Sequence, residues 1–240
     1  MLNQKDGANI GTTIREFYGS YRLHYHNPVP EQKASLYKLK NKREIRPSKQ
    51  KTVILTNAAL LLHLTKKNMP LILPVKGIKP HLGNNCFVAE NATIAGDVVL
   101  GDDCTVWFNA VIRGDVNTIR IGNKTNIQDG AVIHCSYQKA ATTVGNNVSI
   151  GHNAIVHGCT VEDNVLIGMG AIVMDKAVVQ KNTIVAAGAI VLENTVCESG
   201  YIYAGIPAKK VKQLSPEQIE GLDKVANNYV MYGSWFTDSE

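Results

Sequence analysis

The 240-residue chain is poor in aromatics, at 6%, and it lacks any apolar run of membrane-spanning length. Its best candidate, Val53 to Leu64, is interrupted by polar residues and falls short of the roughly 18–20 residues that a spanning helix needs. No membrane partner is therefore expected. Cysteine is also scarce: Cys86, Cys104, Cys135, Cys159 and Cys197 make an odd number without CxxC spacing. That excludes a zinc ribbon and gives no sign of a secreted disulfide scaffold, so a reducing compartment, the cytoplasm, is expected. What the chain does have is 45% hydrophobic residues and 20 glycines. The combination suits one core built from small, stacked aliphatic layers rather than from large aromatic anchors.

Acidic residues are short at one end only. Residues 1–68 carry 13 Lys and Arg against 4 Asp and Glu, a net +9, whereas residues 69–240 carry 12 against 16, a net −4. The overall +5 therefore does not argue for a nucleic-acid partner, because the acidic part holds everything that looks like a domain. The first 68 residues keep no helical or strand period, and Lys38 to Lys51 is mostly solvated charge. Such a segment fits a targeting extension, an arm that touches anionic partners, or an upstream addition ahead of a natural start at Met69. The last is favoured, since the ordered pattern begins just after Met69-Pro70. The expected organisation is a basic extension over 1–68, a repeat domain over 69–214 and a C-terminal helix over 215–235 packed along it.

From Leu82 a six-residue beat sets in: Leu82, Val88, Ile94, Leu100, Val106, Ile112, then Ile121 and onward to Val191, always Leu, Ile or Val. Four residues on, the side chain is usually small, as at Cys86, Ala92, Cys104 and Ala110, and Gly often follows the aliphatic directly, as at Gly83, Gly101 and Gly122. This is the pattern of an all-β solenoid in which each hexad gives one short strand and a turn, and only stacking makes a core. Three hexads per triangular coil give about six coils from Leu82 onward, with Gly and Asn expected to take positive φ at the corners. An amphipathic helix would repeat near 3.6 residues, and scattered aliphatics would not hold phase over about 110 residues. Two steps break the beat. Ile112 to Ile121 takes nine residues, and Ile133 to Val144 takes eleven, which predicts a projecting loop around Tyr137 to Thr143. After Val191 the run Tyr201 to Lys209 reads as an exit from the coil, and Ser215-Pro216-Glu217 as a helix start with Ser as N-cap. Gly168-Met169-Gly170 has neither the third glycine nor the following helix of a dinucleotide loop.

Three of seven histidines fall at the centre of the repeat. His134 and His157 each follow the inward aliphatic of a hexad and stand 23 residues apart, one 18-residue coil plus the five-residue insertion. The two belong at one corner of adjacent coils, about 4.7–4.9 Å apart, a spacing that suits two imidazoles on one metal. His152 occupies another slot and faces another edge, from which it could reach such a metal only in a neighbouring subunit. Hydrogen-bonded corner histidines are the bland alternative. Around them lie Arg113-Gly114-Asp115 and, one coil later, Asn126-Ile127-Gln128-Asp129-Gly130.

Those two motifs, with His134 and the stretches Ile150-Gly151-His152 and His157-Gly158-Cys159-Thr160, resemble the gamma-class carbonic anhydrases over about Pro70 to Trp235. The resemblance implies a left-handed parallel β-helix of hexapeptide repeats with a C-terminal α-helix, assembled as a homotrimer. It implies Zn2+, or Fe2+ in some members, held by His134 and His157 of one subunit and His152 of the next. It further implies that Gln128 orients a metal-bound hydroxide, that Arg113 and Asp115 form an interface salt bridge, and that Asp129 supports it. The activity implied is reversible hydration of CO2 to bicarbonate. The best-characterised active members carry a Glu directly after the Asp and an acidic loop. Here Val116 stands in that place and Tyr137 to Thr143 holds no carboxylate, so slow or buffer-dependent turnover is expected. Two other functions compete: a hexapeptide-repeat acyltransferase using a CoA thioester, and a metal-binding subunit of an assembly without catalysis.

Overall fold

The computed structural model describes residues 69–237, and the basic extension over 1–68 lies outside the described residues. The hexads form short strands that pair in parallel with their equivalents one coil on. A first face stacks Ile72, Ile94, Ile112, Ile133, Val156, Val173 and Val191. A second stacks Leu82, Leu100, Ile121, Val144, Val161, Val179 and Cys197. The third stacks Val88, Val106, Ile127, Ile150, Ile167, Val185 and Tyr203. The result is a parallel β-helix of about seven turns, the left-handed solenoid of the hexapeptide repeat. Each inward aliphatic meets its counterparts above and below, and Ile94, Ile112, Ile133, Ile150 and Ile167 are all fully buried. Among the described residues no helix is long and apolar enough to cross a membrane.

Corner chemistry differs from the simple expectation. Left-handed φ falls mostly on Asn: Asn85, Asn109, Asn147, Asn153, Asn164, Asn182 and Asn194 all lie between 54° and 59°. Asn tolerates this region because its short side chain hydrogen-bonds locally, and here it often bonds to the next coil, as from Asn164 to Asn182 at 2.7 Å. The glycines that follow inward aliphatics do not take positive φ. They are needed for close approach instead: a Cβ on Gly122 would lie 2.7 Å from the carbonyl carbon of Gly145, and one on Gly168 would lie 2.4 Å from the nitrogen of Ala187.

Irregularities in the beat shape the corner between the first and second faces. The nine-residue step is absorbed inside one continuous strand, Val111–Ile121, whose partner shifts from Gly96 beside Gly114 to Val98 beside Ile119. The extra residues, starting at Asp115, bulge out at this corner. The eleven-residue step makes a tight turn closed by an antiparallel bridge between Ser136 and Ala140, and Thr142–Val144 is already a strand. The projection is thus shorter than Tyr137 to Thr143. A third departure has no counterpart in the sequence expectation: Val156 to Val161 is a step of only five residues. It turns at Gly158, with φ 55°.

The coil also runs further than expected. Tyr201–Ala204 still pairs in parallel with Ile184–Val185, and Tyr203 points inward as a seventh layer. Only then does an antiparallel strand, Lys209–Gln213, reverse the chain along the open edge, exposed throughout its length. Ser215 caps the helix Pro216–Thr237: its hydroxyl accepts from the Gln218 amide at 3.3 Å, while the Gln218 side chain accepts from the Ser215 amide at 3.1 Å. Leu222, Ala226 and Gly233 are buried toward the third face, and a Cβ at Gly233 would come within 3.0 Å of the Phe87 Cβ. The scarce aromatics gather here, with Trp107 at 5.1 Å from Phe87, 5.6 Å from Tyr229 and 5.7 Å from Phe236 between ring centres.

Candidate metal centre

Two separate polar clusters sit at opposite ends of the first face. His134 and His157 end adjacent strands, Val132–His134 and Ile155–His157, and pair in register. His134 Nδ1 lies 3.1 Å from His157 Nε2. The outward nitrogens are held by carboxylates: His134 Nε2 is 3.1 Å from Asp115 Oδ1, and His157 Nδ1 is 2.6 Å from Asp175 Oδ1. Arg113 donates to the other oxygen of Asp115 at 2.6 Å, within the same chain. The bulge in the Val111–Ile121 strand is what carries Asp115 out to this corner.

The hydrogen bonds settle where the protons go. Burial opposes ionisation of Asp115 and Asp175, but the donors around them (Arg113 and His134; Ser136 and His157) prevail and hold both below the usual carboxylate range. Burial lowers His134 as well, favouring its neutral ring despite Asp115. A neutral His134 that gives its Nε2 proton to Asp115 keeps a lone pair on Nδ1. Likewise, an Nδ1 proton directed at Asp175 leaves a lone pair on His157 Nε2. Two lone pairs then face each other, an arrangement that repels unless a cation sits between them. Two donors at 2.0–2.1 Å from one zinc stand roughly 3.3 Å apart at the tetrahedral angle, close to the separation found. Cys135 and Cys159 flank the histidines, but burial raises both thiols, so neither offers a thiolate at neutral pH.

The second cluster lies at the corner between the third and first faces. His152 Nδ1 is 2.9 Å from Asp129 Oδ2, and both side chains are about two-fifths exposed, at 41% and 43%. Gln128 is buried beside them and donates to Asn126 Oδ1 at 3.0 Å, and Asn126 in turn donates to Ser149 at 2.8 Å. Within one chain, then, Asp129 contacts His152 and not the Arg113–Asp115 pair. Among the described residues no three His, Cys, Asp or Glu side chains converge to hold a metal. The fit of the residues to a metal is two ligands at one corner and a third at another. Sequence reasoning did not single out Asp175 or Ser136. Asp175 lies one 18-residue coil beyond His157, a signal that could have found it.

Comparison with known proteins agrees with this geometry. Residues 79–114 match the family model described as bacterial transferase hexapeptide (six repeats). A carbonic anhydrase of Geobacillus kaustophilus is 38% identical over 166 residues, covering 69% of this chain and 91% of its own. The mitochondrial gamma carbonic anhydrase 2 of Arabidopsis thaliana is 42% identical over 156 residues, 63% of this chain and 56% of its own. Among solved structures, a hexapeptide transferase family protein from Anaplasma phagocytophilum is 38% identical with a TM-score of 0.66, covering 69% of this chain and 98% of that one. On its fold, its repeat and these relatives, the chain belongs to the gamma-class carbonic anhydrase family of hexapeptide-repeat proteins.

Proposed function

We propose that this protein hydrates CO2 reversibly to bicarbonate at metal centres shared between the subunits of a homotrimer, in the cytoplasm. Each centre takes His134 and His157 from one subunit and His152 of the partner subunit, and holds Zn2+, with Fe2+ the other ion the family uses. The observation that carries this reading is the pair of facing imidazole lone pairs 3.1 Å apart, each braced from behind by a carboxylate. A divalent cation held there makes water acidic enough, with a pKa of about 7, to act as a nucleophile toward CO2 at neutral pH.

The chain's own residues have distinct tasks in this reading. Asp115 fixes the proton of His134 on Nε2, and Arg113 fixes Asp115. Asp129 orients His152 in the same way from the other subunit. Gln128, held by Asn126, has a carboxamide with which to orient the attacking water. Release of the proton is the weak step, because Val116 is packed against the core and the Ser136–Ala140 turn holds no carboxylate. Turnover is therefore slow and rises with buffer concentration.

Metal analysis of the purified protein, joined to stopped-flow CO2 hydration, tests the reading. One metal per chain and buffer-dependent hydration are expected. Metal without hydration points to an assembly subunit, and acyl transfer from a CoA thioester by metal-free protein points to the activity that the Anaplasma protein's title suggests. Acidification supplies a further check. The depressed His134 leaves protons poor competitors for its Nδ1, so zinc is retained below the ordinary histidine value of about 6.5. Loading is complete above that value and is lost as pH falls through the lowered folded one; a chromophoric chelator reads the release. Half-release at or above pH 6.5 contradicts this.

A further inference from the structure

The brace behind His157 has parts that neither the family resemblance nor the comparisons point to. Asp175 sits in the turn after the strand Ile172–Val173, one coil beyond His157, with its side chain mostly buried at 17% exposure. One carboxylate oxygen is 2.6 Å from His157 Nδ1. The other accepts a hydrogen bond from Ser136 Oγ at 2.5 Å, and Ser136 belongs to the turn that the five-residue insertion creates. The path between the coils is kept open by Gly158, where a Cβ would lie 2.4 Å from Asp175 Oδ1 and 2.9 Å from its Cγ. Gly158 is also in the left-handed region, at φ 55°, and its carbonyl accepts from the Lys176 amide next to Asp175 at 2.6 Å. The short five-residue step, the insertion turn and the glycine thus converge on one carboxylate. The arrangement mirrors Asp115 behind His134, with Ser136 in the place of Arg113.

We infer that Asp175, oriented by Ser136 across Gly158, is a positioning residue that keeps the His157 proton on Nδ1 and turns Nε2 toward the metal. The inference rests on the metal reading above and extends it to residues outside the ligand set. An outer carboxylate of this kind orients the ring, fixes its tautomer and raises its basicity, and its loss typically weakens metal binding by about 10- to 100-fold.

The test uses the full chain carrying Asp175→Ala, Asp175→Leu, Asp175→Asn or Ser136→Ala. Zinc affinity is measured by chelator competition, the His157 tautomer by nitrogen NMR on metal-free protein, and folding by melting in excess chelator. Asp175→Leu keeps the bulk above Gly158 without an acceptor, which covers the case in which the alanine variant does not fold. Asp175→Ala and Asp175→Leu are expected to bind Zn2+ about 10- to 100-fold more weakly and to move the proton toward Nε2. Asp175→Asn retains an acceptor oxygen and is expected to keep the Nδ1 proton with only a few-fold loss, and Ser136→Ala to behave similarly. Folded Ala and Leu variants with wild-type affinity and tautomer overturn the inference alone, as does an Asn variant as impaired as Ala. Wild-type protein that binds no zinc overturns the metal reading and the inference together.

Discussion

His134→Ala and His152→Ala are each expected to lower zinc affinity and CO2 hydration by at least about a hundredfold, since losing a ligand exceeds losing an outer-shell partner. Co-assembled, the two inactive proteins are expected to recover about a quarter of wild-type activity. The arithmetic follows from the separation of the two clusters. An intact centre needs His134 and His157 from a chain that carries His152→Ala, and His152 from a chain that carries His134→Ala. Random mixing satisfies each condition half the time in a closed symmetric ring. The recovered centres should bind metal with wild-type affinity, because nothing in them is altered. A mixture as inactive as its parents would show that the centre is not shared. A single variant with undiminished activity would show that the histidine it lacks is not a ligand.

Ile133→Ala is expected to lower stability by roughly 2–5 kcal/mol, the range for large-to-small changes in a packed core. For a domain of this size that corresponds to a melting temperature lower by roughly 4–20 °C. Ile133 is fully buried and stacks between Ile112 and Val156, so its loss opens a gap in the middle of a column rather than at its end. Coils contact only their neighbours, and a gap in the fourth of seven layers weakens both halves of the stack. Ile72 supplies the comparison: it ends the same column, half-buried, and Ile72→Ala should cost much less. Melting followed by circular dichroism in excess chelator separates this from metal release. Equal losses at the two positions would contradict column stacking as the source of stability.

The phase of the aliphatic hexads made the solenoid legible, because a strand whose inward residue recurs every sixth position can bury it only by stacking. His134 and His157 were legible for the same reason, as was the different edge assigned to His152. Other features depended on coil length, which the sequence states only indirectly. The first layer at Ile72 stands ten residues before Leu82, off the beat, and Tyr203 is inward although it breaks the aliphatic pattern. The five-residue step after Val156 hid the relation between His157 and Asp175, which becomes visible only when one coil is counted as 18 residues at that level. Glycine was read for its φ freedom, yet at Gly122 and Gly168 what matters is the missing Cβ at a close crossing of two coils.

Stacked parallel strands have no internal reason to stop, and an open rung is a template for any extended peptide. Lys209–Gln213 answers that hazard at the C-terminal end of the third face. It runs antiparallel to Tyr201–Ala204 and so breaks the repeat that a further coil would have to match. Lys210 is tied down by Glu198 at 2.7 Å and lies 4.4 Å from the centre of the Tyr201 ring, while Lys209 and Lys212 stay exposed on the outermost rung. Two such ends brought together set lysine against lysine. Growth into fibrils by end-to-end addition is thereby discouraged in a fold whose geometry otherwise closely approaches that of an amyloid protofilament.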